Sequence, residues 1–181
     1  MGRNAAVACF YFDFAASEEQ SPAATLGSVL REIVGGLHEV PEKIAKAFQD
    51  SEKISGGGQR LGLAEIVEFL QDICSSRLTF ICIDALDECQ SRHRVKLLGL
   101  LNKILQKSPG ARLFLTGRPH IRGEVEKHLA GRAVTRSIAP TNNDIAIFLR
   151  AKLKADTMSE AMDASLEEEI IQNIPNAFSE M

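Results

Sequence analysis

Short apolar runs alternate along this chain with longer stretches whose apolar residues recur every three or four positions. That alternation restricts the fold more than any other feature. Parallel strands need crossovers long enough to hold a helix, so repeated strand–helix units build a parallel sheet. Ala6 to Phe14 (AVACFYFDF) is nearly continuous in apolar and aromatic residues, as expected of a strand buried on both faces. Leu78 to Ile83 and Arg112 to Thr116 read as two further strands, and Ala133 to Ile138 as a short fourth.

The intervening stretches read as helices. Ser21-Pro22 supplies an N-cap and a proline at the first helical position. Leu26, Val29, Leu30, Ile33, Val34 and Leu37 follow as a stripe that ends near Gly35-Gly36. A second helix follows Pro41 with Ile44, Ala47 and Phe48. Further stripes run from Leu63 to Cys74, from Val95 to Leu105 and from Ile121 to Leu129. Thr141 with Asp144 forms a capping box ahead of Ile145, Phe148, Leu149 and Leu153. Ser165 with Glu168 is expected to open a last helix carrying Ile170, Ile171 and Ile174. The expected class is α/β, a parallel sheet with helices on both faces.

Composition narrows the function classes. Apolar residues make up 45% and charged residues 25%, the profile of a globular chain. The net charge of -3 carries no basic footprint for nucleic acid, and no apolar run is long enough to span a bilayer. The four cysteines, Cys9, Cys74, Cys82 and Cys89, are spaced too irregularly for a zinc motif or a disulfide framework. They suit a reducing, cytoplasmic setting, with Cys9 and Cys82 as small hydrophobes in strands and Cys89 as a packed thiol. His38, His93, His120 and His128 lack metal-ligand spacing and read as surface or loop residues.

Chemistry concentrates at strand ends. The second long apolar run delivers Asp84 at its tip, with Asp87 and Glu88 in the turn beyond. A carboxylate on a rigid strand tip can join a Mg²⁺ shell through water, and acidic groups nearby can orient or deprotonate an attacking water. Three crowded carboxylates also repel one another unless a cation is present. The next strand ends in Thr116-Gly117-Arg118-Pro119, and the fork of donors on Arg118 suits a phosphate. Asp and Glu at strand exits also serve as turn formers and helix caps, which is the bland reading of the same residues.

Phe80 to Cys89 (FICIDALDEC) resembles the Walker B segment of NACHT and related STAND ATPases, in particular fungal NOD-like receptors and the nephrocystin-like N-terminal domain. The resemblance implies that Asp84 supports Mg²⁺ through water and that Asp87 and Glu88 form the hydrolytic acidic pair. Thr116 to Pro119 is similar to that family's sensor 1 segment, which implies that Arg118 reads the γ-phosphate. Gly117 departs from the usual Thr-Ser-Arg-Pro, which is expected to loosen the loop. Tyr11 to Phe14, Asp144-Ile145 and Ile174 to Phe178 extend the resemblance over nearly the whole chain. It implies a partial P-loop NTPase core over residues 1–154 and the start of a following helical segment over 155–181.

One part of that site is missing from the sequence. A P-loop NTPase cradles phosphates with backbone N–H groups and a lysine, yet no Gly-Lys dipeptide occurs in the 181 residues. Ser55 to Gly58 (SGGG) is no substitute, because no Lys-Ser or Lys-Thr follows and no strand leads in. In the resembled family the Walker A strand is central, between the strands matching Leu113 to Thr116 and Ala133 to Ile138. The loop is therefore expected to be lost or to lie upstream of Met1, leaving an open sheet prone to self-association. Mg²⁺ with ATP or GTP is the cofactor implied for an intact relative, with no tight binding expected of this chain alone. Expected partners are a nucleotide once the loop is restored, further copies, other STAND domains or paralogues, and neither nucleic acid nor membrane. Two other functions stay open: a degenerate fold that regulates an intact paralogue, and a metal-dependent hydrolase for which Asp13 is the one further carboxylate available.

Overall fold

The computed structural model describes residues 5–16, 19–55, 61–129, 131–155 and 163–179. Gly56 to Gly58 of the SGGG stretch lie outside these residues, and Ser55 ends a helix. The chain divides into two compact units, Met1–Thr135 and Arg136–Met181.

The first unit is built on three parallel strands in the order β1-β2-β3: β1 (Ala6–Tyr11), β2 (Thr79–Asp84) and β3 (Ala111–Leu115). Its helices are α1 (Pro22–Gly35), α2 (Glu42–Ser55), α3 (Leu63–Ser76), α4 (Ser91–Lys107) and α5 (Arg122–Leu129). The alternating α/β pattern read from the sequence is the architecture observed. Ser21 caps α1 by accepting from the Ala24 N–H at 3.3 Å, with Pro22 at the first turn, and Gly36 ends it.

Register assigns the two faces of the sheet. Ala8 aligns with Ile81 and Leu113, and Phe10 with Ile83 and Leu115. Ala8, Ile81 and Ile83 are buried in one cluster with Leu26, Val29, Leu30 and Ile33 of α1. Ile66, Leu70 and Ile73 of α3 and Leu97, Leu98 and Leu101 of α4 complete that cluster. Burying each such side chain is worth about 1.5–3 kcal/mol. Gly110 lets the chain enter β3 tightly, since a Cβ there would collide with the Cys74 and Arg77 carbonyl oxygens.

The opposite face is different. Its rows are Val7–Phe80–Arg112, Cys9–Cys82–Phe114 and Tyr11–Asp84. Val7, Tyr11 and Phe114 are 54%, 66% and 63% exposed, so the helical cover expected on this side is not present among the described residues. Cys9 and Cys82 are accordingly half-buried rather than buried.

Two strand boundaries differ from expectation. The first strand stops at Tyr11, and Phe14–Ala16 form a 3₁₀ turn. The ladder to β2 closes with the Phe12 N–H donating to the Asp84 carbonyl at 3.1 Å, and the Phe14 N–H goes to the Glu88 side chain instead. Ala133 to Ile138 is not a strand; the sheet ends at β3, and Val134 and Ile138 are 89% and 93% exposed. A strand exists only with a paired neighbour, and none is present beside this segment among the described residues.

The second unit pairs α6 (Asn142–Lys154) with α7 (Ala164–Ser179). The Thr141–Asp144 capping box forms as expected. Hydrogen bonds from Thr141 hold the Asp144 carboxyl below its usual range. The start of α7 is set by Asp163 rather than Ser165: the Asp163 carboxylate accepts from the Leu166 N–H at 2.8 Å. A carboxylate one position before the helix reaches a free N–H of its first turn, as an N-cap does. Among the described residues no helix is long and apolar enough to cross a membrane.

Candidate functional site

The carboxyl ends of β2 and β3 lie side by side, so the two segments singled out in the sequence meet there. Thr116 is the connector. Its N–H donates to the Ile83 carbonyl at 3.0 Å, and its hydroxyl donates to Asp84 Oδ1 while accepting from the Ala85 N–H at 3.1 Å. Asp84 itself is exposed at the strand tip. Ala85 turns the chain sharply with φ 52° and ψ 43°, the left-handed region that costs a residue with a Cβ about 1–2 kcal/mol. The Leu86 N–H then donates to the Thr116 carbonyl at 3.0 Å, which buries Leu86 and starts the 3₁₀ turn Leu86–Glu88.

That turn sends the three carboxylates to three different partners. Asp87 points toward the β3 exit, where Oδ1 accepts from the Arg118 N–H at 3.1 Å and Oδ2 pairs with Arg118 Nε at 3.4 Å. Glu88 points toward the β1 exit, where Oε2 accepts from the Phe14 N–H at 3.0 Å. The crowding of like charges expected from the sequence is thereby relieved by local partners. Among the described residues no three His, Cys, Asp or Glu side chains gather into a metal cage. Asp13 turns back on its own loop, its Oδ1 accepting from the Ala15 N–H at 2.9 Å.

Beneath this turn lies a residue that the motifs did not reveal. Arg94 of α4 is buried, donates to the Asp87 and Cys89 carbonyls at 3.3 and 2.8 Å, and forms a two-point pair with Glu124 of α5. It therefore ties the acidic turn to both helices, through four hydrogen bonds from one buried guanidinium. The signal was present in the sequence: Arg94 falls three and four residues before Leu97 and Leu98, on the apolar stripe of its helix. Beside it the Cys89 thiol is buried, and that burial pushes it up to about 11. The packed reading of Cys89 stands.

Gly117 is also fixed rather than loose. A Cβ there would lie 2.7 Å from Ile121 Cδ1 and 3.4 Å from Asp87 Oδ1, so the missing side chain lets the loop close over Asp87. His38 and His120 are exposed, whereas His93 and His128 are half-buried on α4 and α5. A cleft of about 230 Å³ lined by Pro41, Lys43, Phe69, Asp72 and Ser76 lies between α2 and α3, among residues distinct from those at the strand tips.

Helices packed on a parallel sheet with polar strand tips make this an α/β domain, a class whose ligands bind beyond the carboxyl ends of the strands. Within that class, the chain belongs to the nephrocystin 3, N-terminal family, whose model matches residues 2–118, more than half of its length and the strand-end residues Asp84, Asp87, Glu88, Thr116 and Arg118. Comparison with the curated proteins and with the solved structures finds no match.

Proposed function

We propose that this domain is the Mg²⁺-and-water half of a nucleotide switch in a NACHT-type STAND signalling NTPase. The observation that carries the reading is the convergence of Asp84, Thr116, Asp87 and Arg118 at two adjacent strand ends. Asp84 is an exposed carboxylate steadied by a hydroxyl, a donor that fits Mg²⁺ held mainly by water and phosphate oxygens rather than by a protein cage. The ion, when bound with ATP or GTP, supplies charge neutralisation at the phosphates.

The chain's own groups divide the remaining work. Arg118, 73% exposed in its side chain, extends its guanidinium from the β3 exit, where it can receive a γ-phosphate oxygen. A phosphate that draws Arg118 away frees the Asp87 carboxylate to accept a hydrogen bond from water. Glu88 makes the same exchange by releasing the Phe14 N–H. The acidic pair thus acts only after each carboxylate gives up a contact within the chain. The unpaired side of β3 is where a strand carrying a phosphate loop would add, setting its backbone N–H groups beside Asp84 and Arg118. The domain is placed in the cytoplasm under this reading.

Calorimetric titration with Mg·ATP and Mg·GTP tests it. The 181-residue chain should bind neither tightly. The same chain preceded by a strand, G-x-x-x-x-G-K-[ST] and a helix should bind one of them. Asp84→Ala should remove the Mg²⁺ dependence, and Asp87→Ala or Glu88→Ala should lower turnover by at least tenfold. Full turnover in both acidic variants would sink the assignment.

A second reading, an interaction module that regulates a relative without catalysis, is favoured by the uncovered face bearing Val7, Tyr11 and Phe114. It predicts co-purification with a longer relative that survives Asp84→Ala.

A further inference from the structure

Cys9 and Cys82 are exact cross-strand partners in β1 and β2, on the uncovered face of the sheet. Both are half-buried, with Tyr11, Phe114 and Val7 exposed around them, so solvent reaches the pair.

Geometry decides what such a pair can do. Neighbouring strands lie about 4.7–4.9 Å apart, and side chains in register on one face of a parallel pair run side by side. Their Cβ atoms therefore stay near the strand spacing, wider than the roughly 3.5–4.5 Å that an unstrained disulfide requires. The pair is too wide to bond and well spaced to hold an ion between two sulfurs, since metal–thiolate bonds are about 2.3 Å long.

The surroundings choose the ion. Zn²⁺ takes four ligands in structural sites, yet among the described residues no third His, Cys, Asp or Glu joins a metal-competent group. A neighbouring carboxylate, Glu32, is engaged in accepting the Cys9 N–H at 2.8 Å. Two soft ligands with no third suit a monovalent d¹⁰ ion. We propose that Cys9 and Cys82 form a two-thiolate site for copper(I). Binding exchanges two S–H protons for one Cu⁺, with no change of oxidation state, and leaves a site of charge minus one. The site does not depend on the nucleotide reading.

The test is an anaerobic titration of the intact chain with Cu⁺ against bicinchoninate, a chromophoric copper(I) chelator. One equivalent should transfer to the native chain. Cys9→Ser and Cys82→Ser should each weaken it by about a hundredfold at unchanged helix content by circular dichroism. Unchanged binding in either variant overturns the site. Maleimide footprinting of the unmutated chain gives a readout free of folding effects: Cu⁺ should protect Cys9 and Cys82 together. Labelling of both in the presence of Cu⁺, or recovery of a Cys9–Cys82 disulfide peptide in place of the ion, also overturns it.

Discussion

Asp87 grips Arg118 at two points, its Oδ1 on the backbone N–H and its Oδ2 on the guanidinium, and the two ends of that grip are unequal. The Asp87 side chain is 6% exposed and the Arg118 side chain 73% exposed. The carboxylate is therefore the anchor of the Thr116–Pro119 loop and the guanidinium its free arm. Asp87→Ala should cost about 1.5–3 kcal/mol, since it removes bonds to a charged and shielded acceptor. Arg118→Ala should cost under about 1 kcal/mol, as exposed pairs do. Urea midpoints compare them directly, and equal losses would contradict this asymmetry.

Ala85 carries the one positive φ among the described non-glycine residues. Ala85→Gly should stabilise the domain by up to about 1 kcal/mol, because relief of left-handed strain exceeds the added freedom of the unfolded chain. Ala85→Val should destabilise it by more than about 1 kcal/mol, as a β-branched side chain resists that conformation further. Thermal melts of the two variants should move in opposite directions.

Gly117→Ser, which restores the residue usual in the resembled family, should destabilise this chain by about 1–3 kcal/mol through contact with Ile121. Ile121→Val removes the Cδ1 atom in the way. The double variant should therefore lose less than the sum of the single losses, and a double-mutant cycle measures the difference. Strict additivity would show that Gly117 and Ile121 do not compete for this space.

Cys89 gives a pH prediction. Its thiol is raised from an ordinary 9.0 to about 11, chiefly by burial, so the folded chain holds that proton more tightly than the unfolded chain. The resulting stability is complete below pH 9 and is lost as pH rises toward about 11. Replacement by Ala should flatten the fall in denaturation midpoint over that window. At pH 8 the native thiol should alkylate about a hundredfold more slowly than a free cysteine, and a rate equal to the free thiol would refute its burial.

Most of the strand and helix pattern was legible because it is periodic. The stripes of α1, α3 and α4 point their apolar residues inward, and the FICID run of β2 is followed by its acidic turn at the expected strand end. What was not legible depends on neighbours distant in sequence. Ala133 to Ile138 alternates like a strand, but alternation supplies no partner for its backbone. Likewise AVACFYF reads as covered on both faces, although the covering of a face belongs to whatever packs on it. The acidic residues follow the strand end where the sequence put them, while their directions were not legible: Thr116, Arg118 and the Phe14 N–H, between 31 and 74 residues away, decide where each carboxylate points.

The uncovered face has one more property, an optical one. The chain holds a single tyrosine and no tryptophan, and that tyrosine is Tyr11, 66% exposed beside Cys9. Near-ultraviolet emission from this protein therefore comes almost wholly from one ring at one place. A strand, a helix, another copy or a metal ion settling there changes the surroundings of the only strong fluorophore present, and loss of native structure elsewhere leaves it nearly unmoved. The chain carries its own lamp on the side of the sheet left uncovered among the described residues.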